Sequence, residues 1–321
     1  MKAIVFDQYG PPSSLRYQEV ETPEVSDNSV LVRVVAASVN PYDWHQLTGT
    51  PYLMRLGSGL RRPGHTILGA DLAGRIEAVG RSVCRLRPGD EVFGAASGSL
   101  AEFAVVSEES VVAKPANVTF EQAAATPLAA LTALQALRDK GHLESGQRVL
   151  INGAAGGVGT FAVQIAKTLG ATVTAVCSAR NVEMVRSIGA DEVVDYGRDD
   201  FTSASGRYDI LLDNVGNRPL AACRRCMKAS GVYVVIGGPK GRWLGPMKRF
   251  AEALVGFLFT SQTAAPFIAQ LRTEDLLTLG EFLESGVVVP VIDRSYPLSE
   301  TTEALQYLEQ GHARGKIIIK P

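Results

Sequence analysis

The sequence predicts an α/β protein of two domains, one small and mostly β, the other built on a doubly wound parallel sheet. The length of 321 residues suggests about two domains at roughly 150 residues each. The first third is rich in valine and in Gly and Pro turn signals, which favour short strands. From Arg148 onward, apolar strands alternate with helical segments, as in a parallel sheet covered on both faces.

Composition excludes several classes of protein. Hydrophobic residues make up 46% of the chain and charged residues 20%, which is typical of globular rather than disordered or fibrous proteins. Lys+Arg 32 and Asp+Glu 33 leave a formal charge of -1, so we expect no nucleic-acid partner. Four cysteines are too few for a disulfide scaffold, and the N-terminus lacks the pattern of a signal peptide. No apolar segment approaches the ~20 residues that span a bilayer, so we expect a cytoplasmic protein with no membrane partner.

The expected strands of the first domain are separated by turns such as Pro88-Gly89-Asp90. The segment from Thr119 to Gln122 then has capping-box spacing and precedes an alanine- and leucine-rich stretch. We expect a helix to begin there and to bend near Pro127, because proline removes a helical hydrogen bond. The strands expected before it cover residues 1–7, 30–36, 72–79, 91–93 and 102–106.

The alternating strands of the second domain follow this helix. The segment after the first of them carries an apolar stripe at helical spacing, which includes Val158, Phe161 and Ile165. Strand character returns at residues 287–292 and 316–319, so we expect the last segment to fold back onto the first domain. The expected domains are residues 1–120 completed by 287–321, and residues 121–286. The strands expected in the second domain cover residues 149–151, 172–176, 192–194, 209–212 and 232–236.

A glycine-rich run after the first of these strands is the strongest functional signal. Glycines let the backbone approach a pyrophosphate, and the positive N-terminus of the following helix attracts its charge. Ala154 stands in the first glycine position of the usual GxGxxG pattern, which leaves open a turn that only packs the helix on the strand. The residues expected to bind a dinucleotide are Ala155, Gly156, Gly157, Val158 and Gly159.

The segment about 20 residues beyond this loop bears on the form of the cofactor. An NAD site places an acidic residue there against the ribose 2′-hydroxyl, whereas this chain has Cys177-Ser178-Ala179-Arg180. A hydroxyl and a guanidinium bind a 2′-phosphate that a carboxylate would repel. We expect Ser178 and Arg180 to favour NADPH; alternatively, Ser178 caps a helix and Arg180 lies in solvent.

Two further loops follow strands of the same sheet. Asp213-Asn214-Val215-Gly216-Asn217 follows one, and Ile236-Gly237-Gly238 ends another. Ligands of doubly wound sheets bind outside the carboxyl ends of the strands, so we expect both loops at the nicotinamide half of the cofactor. A plain turn is the alternative for Asp213 and Asn214.

An ordered series of short motifs runs through nearly the whole chain. These are Val39 to Asp43, Leu68 to Gly74, Pro88 to Asp90, Pro127 to Ala133, Ala154 to Gly159, Gly189 to Asp191 and Gly315-Lys316. The series resembles the medium-chain dehydrogenase/reductase superfamily, and within it the zinc-free quinone oxidoreductases similar to zeta-crystallin. The resemblance implies a GroES-like catalytic domain and a Rossmann NADP-binding domain.

The same resemblance bears on metal. In zinc alcohol dehydrogenases a cysteine and a Gly-His-Glu signature hold the catalytic zinc, and the matching places here are Asn40 and Gly69-Ala70-Asp71. The structural zinc lobe is also missing, so we expect no metal. Hydrogen-bond donors must then stabilise the substrate oxygen. The resemblance implies Asn40 and Tyr52 as polar contacts to the substrate or the nicotinamide, with an ordinary loop tyrosine as the alternative for Tyr52.

The resemblance implies more cofactor contacts, at Thr132, Val215 and Ile236. It places Tyr196 beside the adenosine. It also implies that residues 257–259 form an edge strand whose Phe259 lies near the nicotinamide and a dimer interface; a plain core segment is the alternative. Lys316 is expected at a cofactor phosphate or in solvent. The basic residues expected on the solvated surface are Lys240, Arg242, Lys248 and Arg249.

The resulting hypothesis is an NADPH-dependent, zinc-independent reductase that transfers hydride to a quinone or an α,β-unsaturated carbonyl. We expect a small-molecule substrate and a homodimer. An enoyl-thioester or enone reductase would share every motif. A non-catalytic NADPH-binding sensor or structural protein, and a zinc alcohol dehydrogenase, are the alternatives from other classes.

Overall fold

The computed structural model describes residues 1–238, 241 and 243–321, and these residues form two compact units. The first unit contains Met1–Leu131 and Leu271–Pro321, and the second contains Thr132–Gln270. Lys240 and Arg242, expected on the surface, lie outside the described residues.

The secondary structure follows the predicted change from strands to alternating strands and helices. The strands are β1 (Lys2–Val5), β2 (Arg16–Glu19), β3 (Ser29–Val39), β4 (Asp71–Val79), β5 (Glu91–Ala95), β6 (Phe103–Ser107), β7 (Val111–Ala113), β8 (Arg148–Asn152), β9 (Thr172–Cys177), β10 (Glu192–Asp195), β11 (Tyr208–Asp213), β12 (Met227–Val235), β13 (Thr263–Pro266), β14 (Ile292–Pro297) and β15 (Lys316–Lys320). The helices are α1 (Pro41–Thr48), α2 (Arg55–Ser58), α3 (Phe120–Ala125), α4 (Pro127–Gln135), α5 (Gly157–Thr168), α6 (Val182–Ser187), α7 (Leu220–Cys226), α8 (Pro246–Phe257), α9 (Thr273–Glu284) and α10 (Thr301–Glu309).

The main sheet of the first unit has the order β14-β15-β3-β4-β5-β7, with β6 also pairing with β3. The pairs are antiparallel except β14 with β15. Ile317 of β15 lies opposite Val39 of β3, so the last segment folds back onto the first, as predicted. The core of the sheet is aliphatic and includes Val32, Leu72 and Ile319.

One strand of this unit lies later in the chain than the sequence predicts. β14 begins at Ile292, whereas strand character was expected from residue 287. The preceding valine-rich run closes the end of α9 instead, since the N–H of Val288 donates to the carbonyl oxygen of Phe282 at 3.2 Å. Pro290, within the run, has no N–H to give to a strand partner.

In the described part of the second unit, the sheet is parallel and has the order β10-β9-β8-β11-β12-β13. This is the strand order of the dinucleotide-binding doubly wound fold, and its order reverses between β8 and β11. Asn152, the last residue of β8, pairs in register with Asp213, the last residue of β11. The two strand ends on either side of the reversal therefore meet.

The edge strand of this sheet is β13, not residues 257–259. Phe257 instead ends α8 with its side chain buried and its ring stacked on that of Tyr233, with centroids 5.6 Å apart. Ala253 is also buried, so residues four apart face the sheet at helical spacing. The edge strand that the resemblance implies at residues 257–259 is therefore wrong, because Phe257 belongs to a helix.

The helix predicted from Thr119 forms as two helices that meet at Pro127. The Thr119 hydroxyl accepts from the Gln122 N–H at 3.2 Å, and the Gln122 side chain accepts from the Thr119 N–H at 3.0 Å, so the predicted capping box is present. α3 packs on β3 and β4, and α9 packs on β7. Residues 121–131 and 271–286, expected in the second domain, consequently belong to the first unit.

Within the residues that the structure describes, none of the helices combines the length and the apolar character that a membrane span requires.

Candidate functional site

The glycine-rich loop joins the carboxyl end of β8 to the start of α5. Gly153 has a φ of +80°, a conformation that favours glycine. The first hydrogen bond inside α5 runs from the Thr160 N–H to the Gly156 carbonyl oxygen, at 2.9 Å. The N–H groups of Gly157, Val158 and Gly159 precede that bond, so they are donors that an anion can use.

Two of the glycines have different roles in this loop. A Cβ on Gly159 would lie 2.2 Å from the carbonyl oxygen of Gly153, so only glycine lets α5 approach the loop this closely. A Cβ on Gly156 would have the same oxygen as its nearest neighbour at 3.6 Å, which leaves its other side open. The predicted loop Ala155 to Gly159 thus combines a tight helix contact with an open backbone cradle, a geometry into which a pyrophosphate fits.

The expected 2′-phosphate residues lie at the ends of β9 and β10. The Ser178 hydroxyl accepts from the Asn181 side chain at 3.2 Å and makes no cap hydrogen bond to the backbone. Arg180 is exposed in a short 3-10 helix that follows. The N–H of Tyr196 donates to the carbonyl oxygen of Cys177 at 3.1 Å. Ser178 and the half-exposed Tyr196 therefore follow two neighbouring strand ends, and Arg180 lies two residues after Ser178.

A buried carboxylate shapes the loop at the reversal of strand order. Asp213 Oδ1 accepts from Asn152 Nδ2 at 2.8 Å, from the Gly216 N–H at 2.8 Å and from the Val215 N–H at 3.1 Å. Asn152 Nδ2 also donates to Asn217 Oδ1 at 3.0 Å. Asp213 therefore holds the turn after β11 together, as the alternative interpretation expected. Val215, Gly216 and Asn217 form the outer part of the loop.

The loop after β12 lies against this one. The Ile236 N–H donates to the Asp213 carbonyl oxygen at 3.0 Å. A Cβ on Gly237 would lie 2.0 Å from the Asn214 carbonyl oxygen, so glycine is required there too. The structure thus brings Ile236, Gly237 and the 213–217 loop together, as the sequence predicts for loops at the carboxyl ends of strands.

Arg249 corrects an expectation, because its side chain is buried rather than solvated. It is 5% exposed and donates to the hydroxyl of Tyr233 through Nε at 3.0 Å. That hydroxyl in turn donates to Asp213 Oδ2 at 2.5 Å. The sequence carried a signal for this placement, since Arg249 precedes the buried Ala253 and Phe257 by four and eight residues on α8.

Three other predicted contacts lie in different surroundings. Thr132 is buried within α4, and Gly238 directly follows Gly237. Phe259 lies beyond the end of α8 and is 98% exposed, so it belongs to neither an edge strand nor a core.

In the first unit, Asn40 belongs to a buried charged cluster. Asn40 Nδ2 donates to Asp71 Oδ2 at 2.9 Å, and the Lys316 ammonium donates to Asn40 Oδ1. The same ammonium donates to Asp71 Oδ2 at 3.3 Å and to the Val39 carbonyl oxygen at 3.5 Å. The Ser38 hydroxyl completes the contacts to Asp71 Oδ2 at 2.8 Å.

The cluster gives Lys316 a role other than the expected phosphate contact. Its ammonium has three N–H donors, and the three acceptors named above use all of them. Lys316 is 3% exposed, so it is not solvated either. Its position at the start of β15, beside β3, explains the difference, because strand pairing carries the side chain into the core.

Asp43 is a second buried carboxylate beside this cluster. Its Oδ2 accepts from the Asn40 N–H at 2.7 Å, whereas Oδ1 has no partner among the described residues. Burial raises the pKa of Asp43 from its ordinary value of 3.8 to about 7, and the nearby Asp71 adds to the rise.

Tyr52 lies in a separate stacked arrangement of the first unit. The guanidinium of Arg55 lies over the Tyr52 ring at 4.6 Å and over the Tyr9 ring at 4.3 Å. Arg55 Nε donates to the Gly49 carbonyl oxygen at 2.8 Å, and the Tyr9 hydroxyl donates to the Gly59 carbonyl oxygen at 2.6 Å. Residues 49–59 are therefore arranged around Arg55. The Tyr52 ring packs against the Arg55 guanidinium.

Among the residues that the structure describes, no group of three or more His, Cys, Asp or Glu side chains is arranged to hold a metal ion.

The family model of the alcohol dehydrogenase GroES-like domain matches residues 26–116, and the model described as zinc-binding dehydrogenase matches residues 188–319. The chain is 35% identical over 338 residues to 2-methylene-furan-3-one reductase of Solanum lycopersicum, a match that covers 100% of this chain and 79% of that protein.

Solved structures of oxidoreductases are also similar to this chain over its whole length. The quinone oxidoreductase from Coxiella burnetii matches with a TM-score of 0.86 and 33% identity, covering 100% of this chain and 99% of that one. The Escherichia coli quinone oxidoreductase complexed with NADPH matches with a TM-score of 0.86 and 25% identity, covering 100% of each chain.

The raised pKa of Asp43 predicts a pH dependence of stability. The folded-state pKa of Asp43 exceeds its unfolded-state value. The contribution of Asp43 to the stability of the fold is therefore fully present below about pH 3.8 and is lost as the pH rises to about 7. Between these limits the free energy of unfolding falls by about 1.4 kcal/mol per pH unit through this group. Asp43→Asn keeps an oxygen for the Asn40 N–H and should flatten that slope in urea unfolding between pH 4 and pH 8.

The matched control is Asp27→Asn, at an exposed position of the same unit, which should leave the slope unchanged. An Asp43→Asn protein with the wild-type slope would contradict the assignment of this titration to Asp43.

Proposed function

This chain belongs to the zinc-free quinone oxidoreductase family of the medium-chain dehydrogenase/reductase superfamily, and we propose that it reduces a quinone or an α,β-unsaturated carbonyl with NADPH and without zinc. The observation that carries the proposal is the backbone cradle at Gly156, which opens beside α5 where the strand order reverses. A nicotinamide dinucleotide, when bound, supplies the hydride.

The second unit offers distinct groups for each part of the cofactor. The free N–H groups at the start of α5 bind the pyrophosphate. The Ser178 hydroxyl and the Arg180 guanidinium bind the 2′-phosphate, which favours NADPH over NADH because no carboxylate occupies residues 177–181. The backbone of Val215 to Asn217 and of Ile236 to Gly238 contacts the nicotinamide half.

The cluster around Asn40 supports a reaction without zinc. Asn40 and Gly69-Ala70-Asp71 stand where zinc alcohol dehydrogenases have the cysteine and the Gly-His-Glu signature, and the Lys316 ammonium lies against Asn40 and Asp71. A buried cation already balances the Asp71 carboxylate there, so a divalent ion would compete with an ammonium for the same oxygens. The donor set is therefore suited to hydrogen bonding.

The orientation of the Asn40 amide follows from its neighbours. Lys316 only donates and the Asp71 carboxylate only accepts, so Oδ1 must face the ammonium and Nδ2 must face the carboxylate. Nδ2 has a second N–H besides the one that it donates to Asp71. We assign this N–H to the substrate oxygen, where it stabilises the negative charge that develops as hydride arrives. Tyr52, held by Arg55, is the second polar contact.

The names of relatives favour quinones and enones as acceptors. The tomato relative is a reductase of a methylene-furanone, and the Coxiella relative is a quinone oxidoreductase. Both substrate types place a carbonyl in conjugation with the carbon–carbon bond that accepts hydride, so one oxygen contact serves either.

The proposal includes a cytoplasmic location, which agrees with the four free cysteines. It also includes a homodimer.

The direct test is the oxidation of NADPH, followed by its absorbance, against a panel of quinones and enones. We expect turnover that survives a chelator, because the proposed donors are protein groups. Turnover that a chelator abolishes and zinc restores would overturn the zinc-independent reaction. Binding of NADPH without reduction of any acceptor would overturn catalysis and favour the sensor alternative.

Cofactor preference is tested with Arg180→Ala. Loss of one charge-assisted contact to the 2′-phosphate should raise the KM for NADPH by about tenfold or more and leave the KM for NADH unchanged. The control is Arg186→Ala, which removes the same charge from α6, where Arg186 pairs with Glu183. Equal effects on both cofactors would contradict the assignment.

The role of Asn40 is tested with Asn40→Ala. We expect kcat to fall about 10²-fold, the effect of removing one oxyanion donor, while the Kd for NADPH stays the same. Ser38→Ala is the control, because it removes another hydrogen bond to Asp71 without removing the amide. If both variants lower kcat equally, Asn40 acts only through the cluster.

A further inference from the structure

We propose that Arg249 and Tyr233 are positioning residues that hold the loop from Asp213 to Arg218 in the conformation that the nicotinamide half of the cofactor requires. The inference rests on the proposed function and deepens it, because neither residue lies in the glycine-rich loop or at the 2′-phosphate end.

The conformation of this loop depends on one carboxylate. Asp213 Oδ1 accepts the N–H groups of Val215 and Gly216, at 3.1 and 2.8 Å, so the chain turns tightly around it. Gly216 has a φ of +70°, which such a turn needs. Rotation of the carboxylate would release both N–H groups at once.

Two side chains from other elements prevent that rotation. Tyr233, on the adjacent strand β12, donates its hydroxyl to Asp213 Oδ2 at 2.5 Å. Burial and the nearby carboxylate raise the pKa of Tyr233, so the hydroxyl keeps the proton that it donates. Arg249 of α8 donates to the same hydroxyl oxygen through Nε at 3.0 Å and through a terminal nitrogen at 2.7 Å.

Arg249 also reaches the far end of the loop. Its terminal nitrogen donates to the carbonyl oxygen of Arg218 at 2.8 Å and lies 3.6 Å from Asp213 Oδ2. The guanidinium therefore contacts the last residue of the loop directly, and it contacts the first both as an ion pair and through Tyr233. We call this arrangement of Arg249, Tyr233 and Asp213 the loop clamp.

Packing of α8 on the sheet does not require a guanidinium. Phe257 of the same helix already stacks on the Tyr233 ring, and Ala253 is fully buried. Burying a charged side chain costs desolvation energy, and an apolar residue of similar size would fill the space without that cost. We therefore infer that the buried guanidinium of Arg249 is present because it fixes the geometry of the loop.

The loop clamp lies at the end of the sheet where the nicotinamide half of the cofactor is expected to bind. Asp213 ends β11, beside Asn152 at the reversal of strand order, where ligands of such sheets bind. The adenosine end is assigned to Ser178 and Arg180 at the ends of other strands. Loss of the clamp should therefore affect the two halves of the cofactor differently.

The test uses Tyr233→Phe and Arg249→Met in the full-length protein, with NADPH and adenosine 2′,5′-bisphosphate as probes. The second probe has the 2′-phosphate but no nicotinamide. Loss of one buried hydrogen bond should raise the Kd for NADPH and lower kcat by about fivefold to tenfold each. The Kd for adenosine 2′,5′-bisphosphate should change less than about twofold.

The matched control is Tyr208→Phe, which removes the hydroxyl of another buried tyrosine at the opposite end of β11. It should leave both affinities at wild-type values. Arg249→Lys keeps the charge and should recover part of the NADPH affinity lost in Arg249→Met.

The outcomes separate the two levels of the argument. If wild-type protein bound no NADPH, the proposed function would fail and the role of the clamp would fail with it. If wild-type protein binds and oxidises NADPH, but Tyr233→Phe behaves like Tyr208→Phe, the clamp alone is overturned. Equal weakening of both probes would also overturn it, because that result indicates general damage to the second unit.

Discussion

The close approach of backbone segments at the carboxyl ends of β8, β11 and β12 is the constraint on which the cofactor half depends. Glycine is required at Gly237 because a Cβ there would overlap the Asn214 carbonyl oxygen, and at Gly159 because a Cβ there would overlap the Gly153 carbonyl oxygen of its own loop. The same approach brings Asn152 and Asp213 within hydrogen-bond distance. One geometric condition thus produces both the open phosphate cradle and the folded loop beside it.

The first unit meets a different condition, the burial of two carboxylates in one place. Asp71 is satisfied by an ammonium, an amide and a hydroxyl, whereas Asp43 has one oxygen without a partner among the described residues. Burial raises the pKa of Asp43, and its hydrogen bond from the Asn40 N–H does not offset the rise. In this core the Asp71 charge is therefore balanced by buried protein groups, the Lys316 ammonium among them, rather than by water.

Local pattern was sufficient for much of this architecture and for the glycine-rich loop between β8 and α5. The capping box at Thr119, the break at Pro127 and the Gly153 to Gly159 run each depend on neighbouring residues, so the sequence predicted them correctly. Arg249 and Lys316 were misplaced because their partners lie on other elements, and charge alone suggests solvent. The edge strand that the resemblance implied at residues 257–259 was wrong, because the buried positions of α8 repeat every four residues as far as Phe257.

The pairing of β15 with β3 has a consequence for the order of synthesis. Lys316 follows Asn40 by 276 residues, so the ammonium that orients the amide leaves the ribosome long after the amide itself. Until it arrives, Asp71 has no buried cation, and closing the core around it is unfavourable. The second unit is one continuous segment, Thr132–Gln270, and has no such dependence. The unit made in the middle of translation can therefore fold before the unit that was started first.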